Sequence, residues 1–456
     1  MGITCYICSQ KRECGKFMNK RTVAVVGGGA AGFFAAINLK EMRPDLEVSI
    51  FERSPRVLAK VEISGGGRCN CTNTFEGVGD LSKVYPRGHR LMKRLMNVFD
   101  HHSAYEWFEH HGVPLVTQPD HCVFPAAQDS HAIIDCFLQA ARRLGITIHT
   151  RRRIVNIDDL EGFDYVVVTT GGSPHSTGLQ WLCDLGHKIE PPVPSLFSFS
   201  IADERLKALM GIVAEDGVIQ LPGTKFRSEG AILVTHWGLS GPAILKLSSH
   251  AARHLHDHDY RGVASINWTG KPESETREAL SLMVTNHRQK QLSTLAPLGV
   301  SHRLWQYLMS KAKVESPTLR WGEMGKKTFN CLVNVMTNDE VALTGRAPFR
   351  DEFVTCGGIS LSSVNASTLE SKVHPGLYFA GEVLDVDGVT GGFNFQAAWT
   401  TAYVVAKSIA GRQEEDKRGD KRIKEDKEDK RGDRENRRGW LRLSQGLFDE
   451  TAVVVA

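Results

Sequence analysis

The sequence predicts an α/β fold: a doubly wound parallel sheet interrupted by a β-rich insert and a small helical subdomain. Three observations carry the prediction. Residues 22–39, "TVAVVGGGAAGFFAAINL", read as strand, glycine turn and helix in immediate succession. β-Branched segments then alternate with helical ones as far as Gly172, the pattern of a parallel sheet with crossover helices. An apolar, glycine-punctuated texture returns from about Phe353, so one domain is expected to draw on both ends of the chain.

Taken in order, residues 1–20 precede the first strand and carry Cys5, Cys8 and Cys14. The CxxC there lacks the second ligand pair of a structural zinc site, so the segment reads as a disordered extension or a start assigned too early, with Met18 as the working start. "EVSIFER" supplies a second strand ending in an acid. Arg90 to His111 has helical periodicity, with Gly112 and Pro114 to stop it. Asp129 to Leu144 reads as an amphipathic helix capped by Asp129, and "ITIHT" and "YVVVTTGG" as strands. After Pro191–Ser195 come short alternating segments such as "SFSIAD", "GVIQLPG" and "GAILVTHWG".

These shifts divide the chain. A first domain spans 21–192 and 351–411, a β-rich substrate domain 193–270 and 328–350, and a helical subdomain 271–327, with a charged tail over 412–456. The tail has an approximate "EDKRGD" repeat at Glu415 and Glu428 and almost nothing to bury, so disorder is expected.

A chain of 456 residues, 41% hydrophobic and 24% charged, can bury a large core. Its net charge of +4 announces neither a nucleic-acid nor a membrane partner, and no DNA partner is expected. The mildly basic helical segment Glu273–Lys327, with His287, Arg288, Lys290, His302, Arg303, Lys311, Lys313, Lys326 and Lys327, is the local exception. Ten irregularly spaced cysteines suit reduced thiols and a cytoplasmic location. The uncharged run Val23–Leu39 is too short and too rich in glycine to span a bilayer. Oligomeric state leaves no sequence signal.

Gly27, Gly29 and Gly32 form GxGxxG between a strand and a helix, and Glu52 ends the next strand. That is the dinucleotide fingerprint in its required context: a tight turn, a close backbone approach to pyrophosphate, and close helix packing. An acid at Glu52 accepts hydrogen bonds from a ribose and disfavours a 2′-phosphate, which points to FAD or NAD. The later segment "GLYFAGEVLDVDGVTGGFNFQAAW" favours FAD, whose length demands a second anchor. Gly381 and Glu382 close a strand there, and Gly391, Gly392, Phe393 and Asn394 open a helix suited to the flavin end.

The segments "SGGGRCNCTN", "THWGLSGPAIL" and "LYFAGEVLDVDGVTGGFNFQAAW", in this order with "VFP" at Val123–Pro125 and Thr170-Gly171-Gly172, resemble the BaiN/RdsA-type NAD(P)/FAD-dependent flavoprotein family, which includes aminoacetone-oxidase-like members. The resemblance runs from about Lys20 to Gly411. Thr169, Phe393, Phe395 and Cys71 depart from the family's usual residues, and no role is attached to Cys71. It implies a Rossmann-like, glutathione-reductase-type FAD-binding domain interrupted by a β-barrel and a helical subdomain. It further implies non-covalent FAD, lined on one side by Lys60, Gly66, Gly67, Arg68, Cys69 and Asn70 beside the first glycine turn, with Gly172, Glu382 and the Gly391–Asn394 turn on the other. No metal site is expected.

The resemblance implies flavin-dependent reduction of an electron-poor C=C, including uridine in ribosomal RNA, with NAD(P)H as electron donor. Its alternatives are oxidation of a small amine or amino ketone by O2, and a non-catalytic flavin-binding role on RNA. Reduction needs a proton donor. Cys69 on the glycine loop and His236 in "THWGLSG" are the candidates, each also readable as a plain structural residue. Trp305 and Tyr307 could stack on RNA bases, although their spacing suits a core position better.

Overall fold

The structure, a computed structural model, describes residues 21–173, 176–314, 316, 318–347 and 354–412. The N-terminal cysteines and the charged tail lie outside the described residues.

Five strands form the parallel sheet: β1 (Thr22–Val26), β2 (Glu47–Phe51), β3 (Thr147–His149), β4 (Tyr165–Val168) and β5 (Leu377–Phe379), in the order β5-β4-β1-β2-β3. Central β1 is flanked on both sides, Val23 pairing with Val48 and with Tyr165. Its apolar run and that of β4 are buried, as strands covered on both faces require. β5 enters from the far end of the sequence, which makes the first domain discontinuous.

Helix α1 (Ala30–Met42) leaves the sheet from the C-terminal end of β1. Every residue from Ala31 to Leu39 is buried, so it is a core helix without a polar face. It packs on helix His131–Arg143, and Phe34 sits among Trp107, Phe108, Phe137 and Trp399. Trp399 belongs to the last described helix, 393–412. Both ends of the chain thus hold α1 in place, and with it the glycine turn.

Two expected helices begin elsewhere than the sequence suggests. The stretch Arg90–His111 is two helices, His89–Leu95 and His101–His110. Asp100 accepts from Ser103 N–H at 2.9 Å and starts the second, a cap that a helix interior cannot use. The helix expected from Asp129 begins at His131, and Asp129 receives the His131 N–H at 2.9 Å.

The insert is an eight-stranded antiparallel sheet with end strands Val213–Ala214 and Arg227–Glu229. No ladder joins those ends among the described residues. Helix Pro242–His250 packs against strands near both ends instead, so a curled sheet is plugged by a helix. Helices Glu273–Asn286, His302–Lys311 and Lys326–Thr337 follow, the last continuing past the expected edge at 327. Leu304, Trp305, Leu332 and Met336 share one apolar core with Ile219, Ile244 and Ile266, so helices and strands form a single second lobe. Trp305 and Tyr307 are core residues rather than a stacking platform; Trp305 donates to Leu292 O at 2.7 Å and stacks on Trp321. Antiparallel strands Ile189–Ser195 and Val354–Ile359 connect the lobes. Among the described residues no helix is long and apolar enough to cross a membrane.

Candidate functional site

At the end of β1 the chain turns on Gly27, held at φ +115°, where a Cβ would stand 2.4 Å from Thr169 O. A Cβ on Gly32 would stand 2.0 Å from Gly27 O. These two glycines are therefore demanded by the chain's own packing. Gly29 differs, because a Cβ there would meet nothing within 4 Å. Its backbone faces open space at the amino end of α1, which has no side-chain cap, so unsatisfied N–H groups and the positive end of the helix dipole lie there. A pyrophosphate placed there would supply the missing acceptors.

Glu52 stands beside the turn. One carboxylate oxygen accepts from Gly28 N at 2.9 Å and the other from Ser54 N at 2.7 Å, which fixes the group where β2 ends and leaves lone pairs for a ribose.

The second loop is built differently. Gly65, Gly66 and Gly67 all take positive φ, and Cys69 follows at φ +59°. Gly67 N and Cys69 N both donate to Ser64 O at 3.0 Å. Gly66 and Gly67 have open space where a Cβ would stand. Arg68 lies over the Phe124 ring at 4.4 Å and donates to Gln128 Oε1, a placement that keeps its cation at the loop surface.

Side chains bind this loop to the C-terminal turn. Asn70, in the amide orientation that satisfies both its ends, accepts from Gly392 N at 3.2 Å and donates to Thr72 O at 2.9 Å. Asn73 donates to Gly391 O at 3.0 Å, Thr72 Oγ1 to Gln396 Oε1 at 2.6 Å, and Trp399 to Cys71 O at 2.7 Å. A Cβ on Gly392 would come within 2.2 Å of Thr72 O, so the two segments touch backbone to backbone.

Glu382 joins the remaining pieces. Gly381 precedes it at φ +76°, close enough to α1 that an added Cβ would stand 2.8 Å from the Ala31 Cβ. Glu382 accepts from Lys60 Nζ at 2.9 Å and from Thr355 N at 2.9 Å. An added Cβ on Gly172 would meet Glu382 Oε1 at 2.6 Å. Burial pushes the Glu382 carboxyl up, but the Lys60 ammonium and the Thr355 and Gly172 N–H groups outweigh it and hold the group below the usual carboxylate range. Contacts thus tie Glu52 to the first glycine turn, Lys60 and Gly172 to Glu382, and the second loop to the C-terminal turn.

Several expected contacts turn inward. Phe393 is buried edge-on to Phe75 and Tyr85, and Asn394 spends both ends of its amide on Gly388, closing its own loop, so their share in cofactor binding is limited to backbone. Cys69 is completely buried, and burial pushes its thiol up to about 12 against the effect of a hydrogen bond with Ser64. A thiol so placed packs within the loop. His236 lies at the exposed tip between strands Ile232–Val234 and Gly238–Ser240, its ring 4.1 Å from Trp237.

Sequence reasoning missed a polar junction between the first domain and the insert. The Arg87 guanidinium pairs with both oxygens of fully buried Asp387 and donates to Ser249 O at 2.8 Å; Ser195 Oγ donates to Asp387 at 3.1 Å. Burial and Asp387 act on Arg87 in opposite senses, and the carboxylate prevails, holding the guanidinium above its ordinary range. One signal was available: Asp387 sits in the apolar run "EVLDVDGV", and a buried acid demands a partner.

The HI0933-like protein Rossmann domain model matches residues 21–408. This chain belongs to the HI0933-like family. Family relatives span nearly the same length. The 3-dehydro-bile acid delta(4,6)-reductase of Clostridium scindens is 24% identical, covering 86% of this chain and 99% of that one. The ribosomal RNA dihydrouridine synthase of Escherichia coli is 25% identical, covering 86% and 98%. Among solved structures, a 3-ketosteroid delta1-dehydrogenase from Sterolibacterium denitrificans aligns with a TM-score of 0.45 at 12% identity, covering 86% of this chain and 100% of that one. The fold is the family's Rossmann-type FAD-binding fold, and this HI0933-like chain is an FAD-dependent oxidoreductase.

Proposed function

We propose that this chain reduces an electron-poor C=C bond with electrons from NAD(P)H, and that its substrate is uridine in cytoplasmic ribosomal RNA. The carrying observation is the junction of the two glycine segments with the C-terminal turn. The two halves of the cradle are stitched together through Glu382 and through Asn70, Thr72 and Asn73, and the described residues contain no second strand–GxGxxG–helix unit, which supports a reading in which donor and acceptor take turns at one flavin. Bound FAD supplies the two-electron relay, accepting hydride from the nicotinamide and passing it to the alkene carbon. Relatives matching nearly end to end are named for saturating a C=C in a bile acid and in RNA, which supports the reaction class.

Chain residues do the remaining work. Glu52 would hold the adenosine ribose, and Gly27, Gly29 and Gly32 would admit the pyrophosphate to the amino end of α1. Glu382, fixed by Lys60, would hold the ribityl region, and Gly66, Gly67, Arg68 and Asn70 together with the Gly391–Gly392 turn would hold the flavin end. Saturation also needs a proton on the second carbon. In this reading His236 delivers it, because its imidazole is exposed on the second lobe while the Cys69 thiol is sealed in the first.

Anaerobic mixing with NADH and with NADPH, then with ribosomal RNA, tests the proposal. Flavin bleaching followed by a two-hydrogen mass gain on a uridine supports it. Absence of bleaching with both nicotinamides, or rapid reoxidation by O2 with stoichiometric peroxide, overturns it. His236→Ala is expected to slow the transfer to RNA about 100-fold, in the range of a lost general acid, while leaving flavin bleaching by NAD(P)H intact.

A further inference from the structure

The helical segment of the second lobe carries many cations, and the structure sorts them into two sets. Arg277 pairs with Glu273 and Asn330, Arg303 donates to Ala208 O, and Lys311 pairs with buried Asp339. These cations hold the lobe together. Arg288, Lys290, Lys326 and Lys327 are exposed, and among the described residues none of their side chains has a hydrogen bond or an ion pair.

The unpaired set is gathered by the fold. Residues 288–292 and 319–322 run antiparallel, tied by Gly322 N to Arg288 O at 3.0 Å, Trp321 N to Lys290 O at 3.0 Å and Leu292 N to Leu319 O at 2.9 Å. Trp321 is fully buried beneath them and anchors the pair of segments. Exposed Arg320 is added to the same ridge, its guanidinium steadied by Gln289 at 3.0 Å. Beyond Glu323, an acid of the ridge whose carboxylate accepts from Arg320 N, helix Lys326–Thr337 begins.

That helix start breaks a local rule. Lys326 and Lys327 occupy its first turn, which holds no acid, and Gly325 offers no side-chain cap. Cations at the positive end of a helix are unfavourable, and among the described residues no hydrogen bond or ion pair of either lysine side chain offsets this. A rule broken without internal compensation is the mark of a surface shaped for something outside the chain. Two lysines, three or four uncapped amides and the neighbouring Arg288, Lys290 and Arg320 together suit a run of phosphates.

We infer that the ridge formed by Arg288, Lys290, Arg320, Lys326 and Lys327 is a docking surface for the phosphodiester backbone of structured RNA, separate from the flavin cleft. The inference rests on the reading of RNA as substrate and locates where that RNA is gripped. Because the contacts are to phosphates, the ridge gives affinity and orientation, and base choice is left to the cleft.

The test uses the FAD-loaded full chain and a fluorescent RNA hairpin, with binding followed by anisotropy over a range of salt concentrations. A Lys290→Glu/Lys326→Glu/Lys327→Glu triple variant is expected to weaken binding about tenfold or more and to flatten the salt dependence. An Arg90→Glu/Lys93→Glu/Arg94→Glu variant, with the same charge change on the first lobe, is expected to bind within about twofold of the wild type. Flavin content and thermal unfolding of both confirm that the fold is intact, and neutral Gln replacements at the same ridge positions give an intermediate loss. Undiminished binding in the ridge variant, an equal loss in the control, no hairpin binding by wild type, or ridge-dependent binding to phosphatidylglycerol vesicles in place of RNA overturns the inference. The substrate reading fails separately: if the wild type binds the hairpin through the ridge yet never adds hydrogen to ribosomal RNA, the docking surface stands and the uridine reaction falls.

Discussion

The two glycine loops of the cofactor cleft look alike in sequence and are made for different reasons. In the first, Gly27 and Gly32 leave no room for a Cβ against the chain's own backbone, and only Gly29 is open. In the second, Gly66 and Gly67 have ample room and are held to glycine by positive φ. The first turn is thus part of the core, fixed by packing of α1 on the sheet. The second is a surface loop whose shape is conformational, stabilised from outside by Asn70, Thr72 and Asn73 on the C-terminal turn. Damage to the first should unfold the domain, whereas damage to the second should release flavin from a domain that stays folded.

The sharpest way to break this contrast is Gly32→Ala. With backbone 2.0 Å from the new Cβ, α1 must shift off β1, and we expect a loss of about 3 kcal/mol or more together with all bound flavin, read by thermal unfolding and flavin absorbance of the purified chain. Gly392→Ala comes next. Its Cβ would press Thr72 O at 2.2 Å and its φ is +88°, so the stitch between the two segments opens; a loss of about 2–3 kcal/mol and most of the flavin is expected. Gly66→Ala meets no atom and carries only the strain of φ +69°, so the apoprotein should lose no more than about 1–2 kcal/mol, less than in either variant above, while flavin affinity falls roughly tenfold. Equal melting losses for Gly32→Ala and Gly66→Ala would erase the distinction.

The smallest expected effect is at Lys60, which is more than half exposed and forms a partly screened pair with Glu382. Lys60→Met should cost under about 1 kcal/mol. It should, however, change the pH dependence of flavin retention. The folded Glu382 carboxyl is held below its ordinary range, so its contribution is complete above that range and disappears as pH falls through the lowered value. Without Lys60 that loss should begin at a higher pH, seen as earlier flavin release on acid titration.

How much of this could be read in the sequence follows from the range of the interactions. The first turn and Glu52 were legible because strand, glycines, helix and acid are neighbours in the chain, and their geometry is local. The second loop and the Gly391–Asn394 turn were each recognisable, but not their union, because Asn73 reaches Gly391 and Thr72 reaches Gln396 across more than 300 residues. The helix break before His101 was hidden since an apolar period runs through it, and only the Asp100 cap reveals the start. Trp305 and Tyr307 fit both a core and a stacking surface by spacing, and burial alone separates the two. Among titratable groups the sequence named Cys69 and His236, while the Arg87–Asp387 pair went unseen, since the need of a buried acid is visible locally and its partner is not.

That pair bears on how such a chain can be rebuilt. One guanidinium holds Asp387 of the cofactor lobe and Ser249 of the insert, while Ser195 at the end of the connecting strand binds the same carboxylate. An insert grafted from a relative would need a backbone carbonyl at the position of Ser249 and a hydroxyl at that of Ser195. Otherwise it would leave a charge stranded in the seam, so recombination breakpoints placed at the two connecting strands should succeed only when the donor lobe brings its half of this lock.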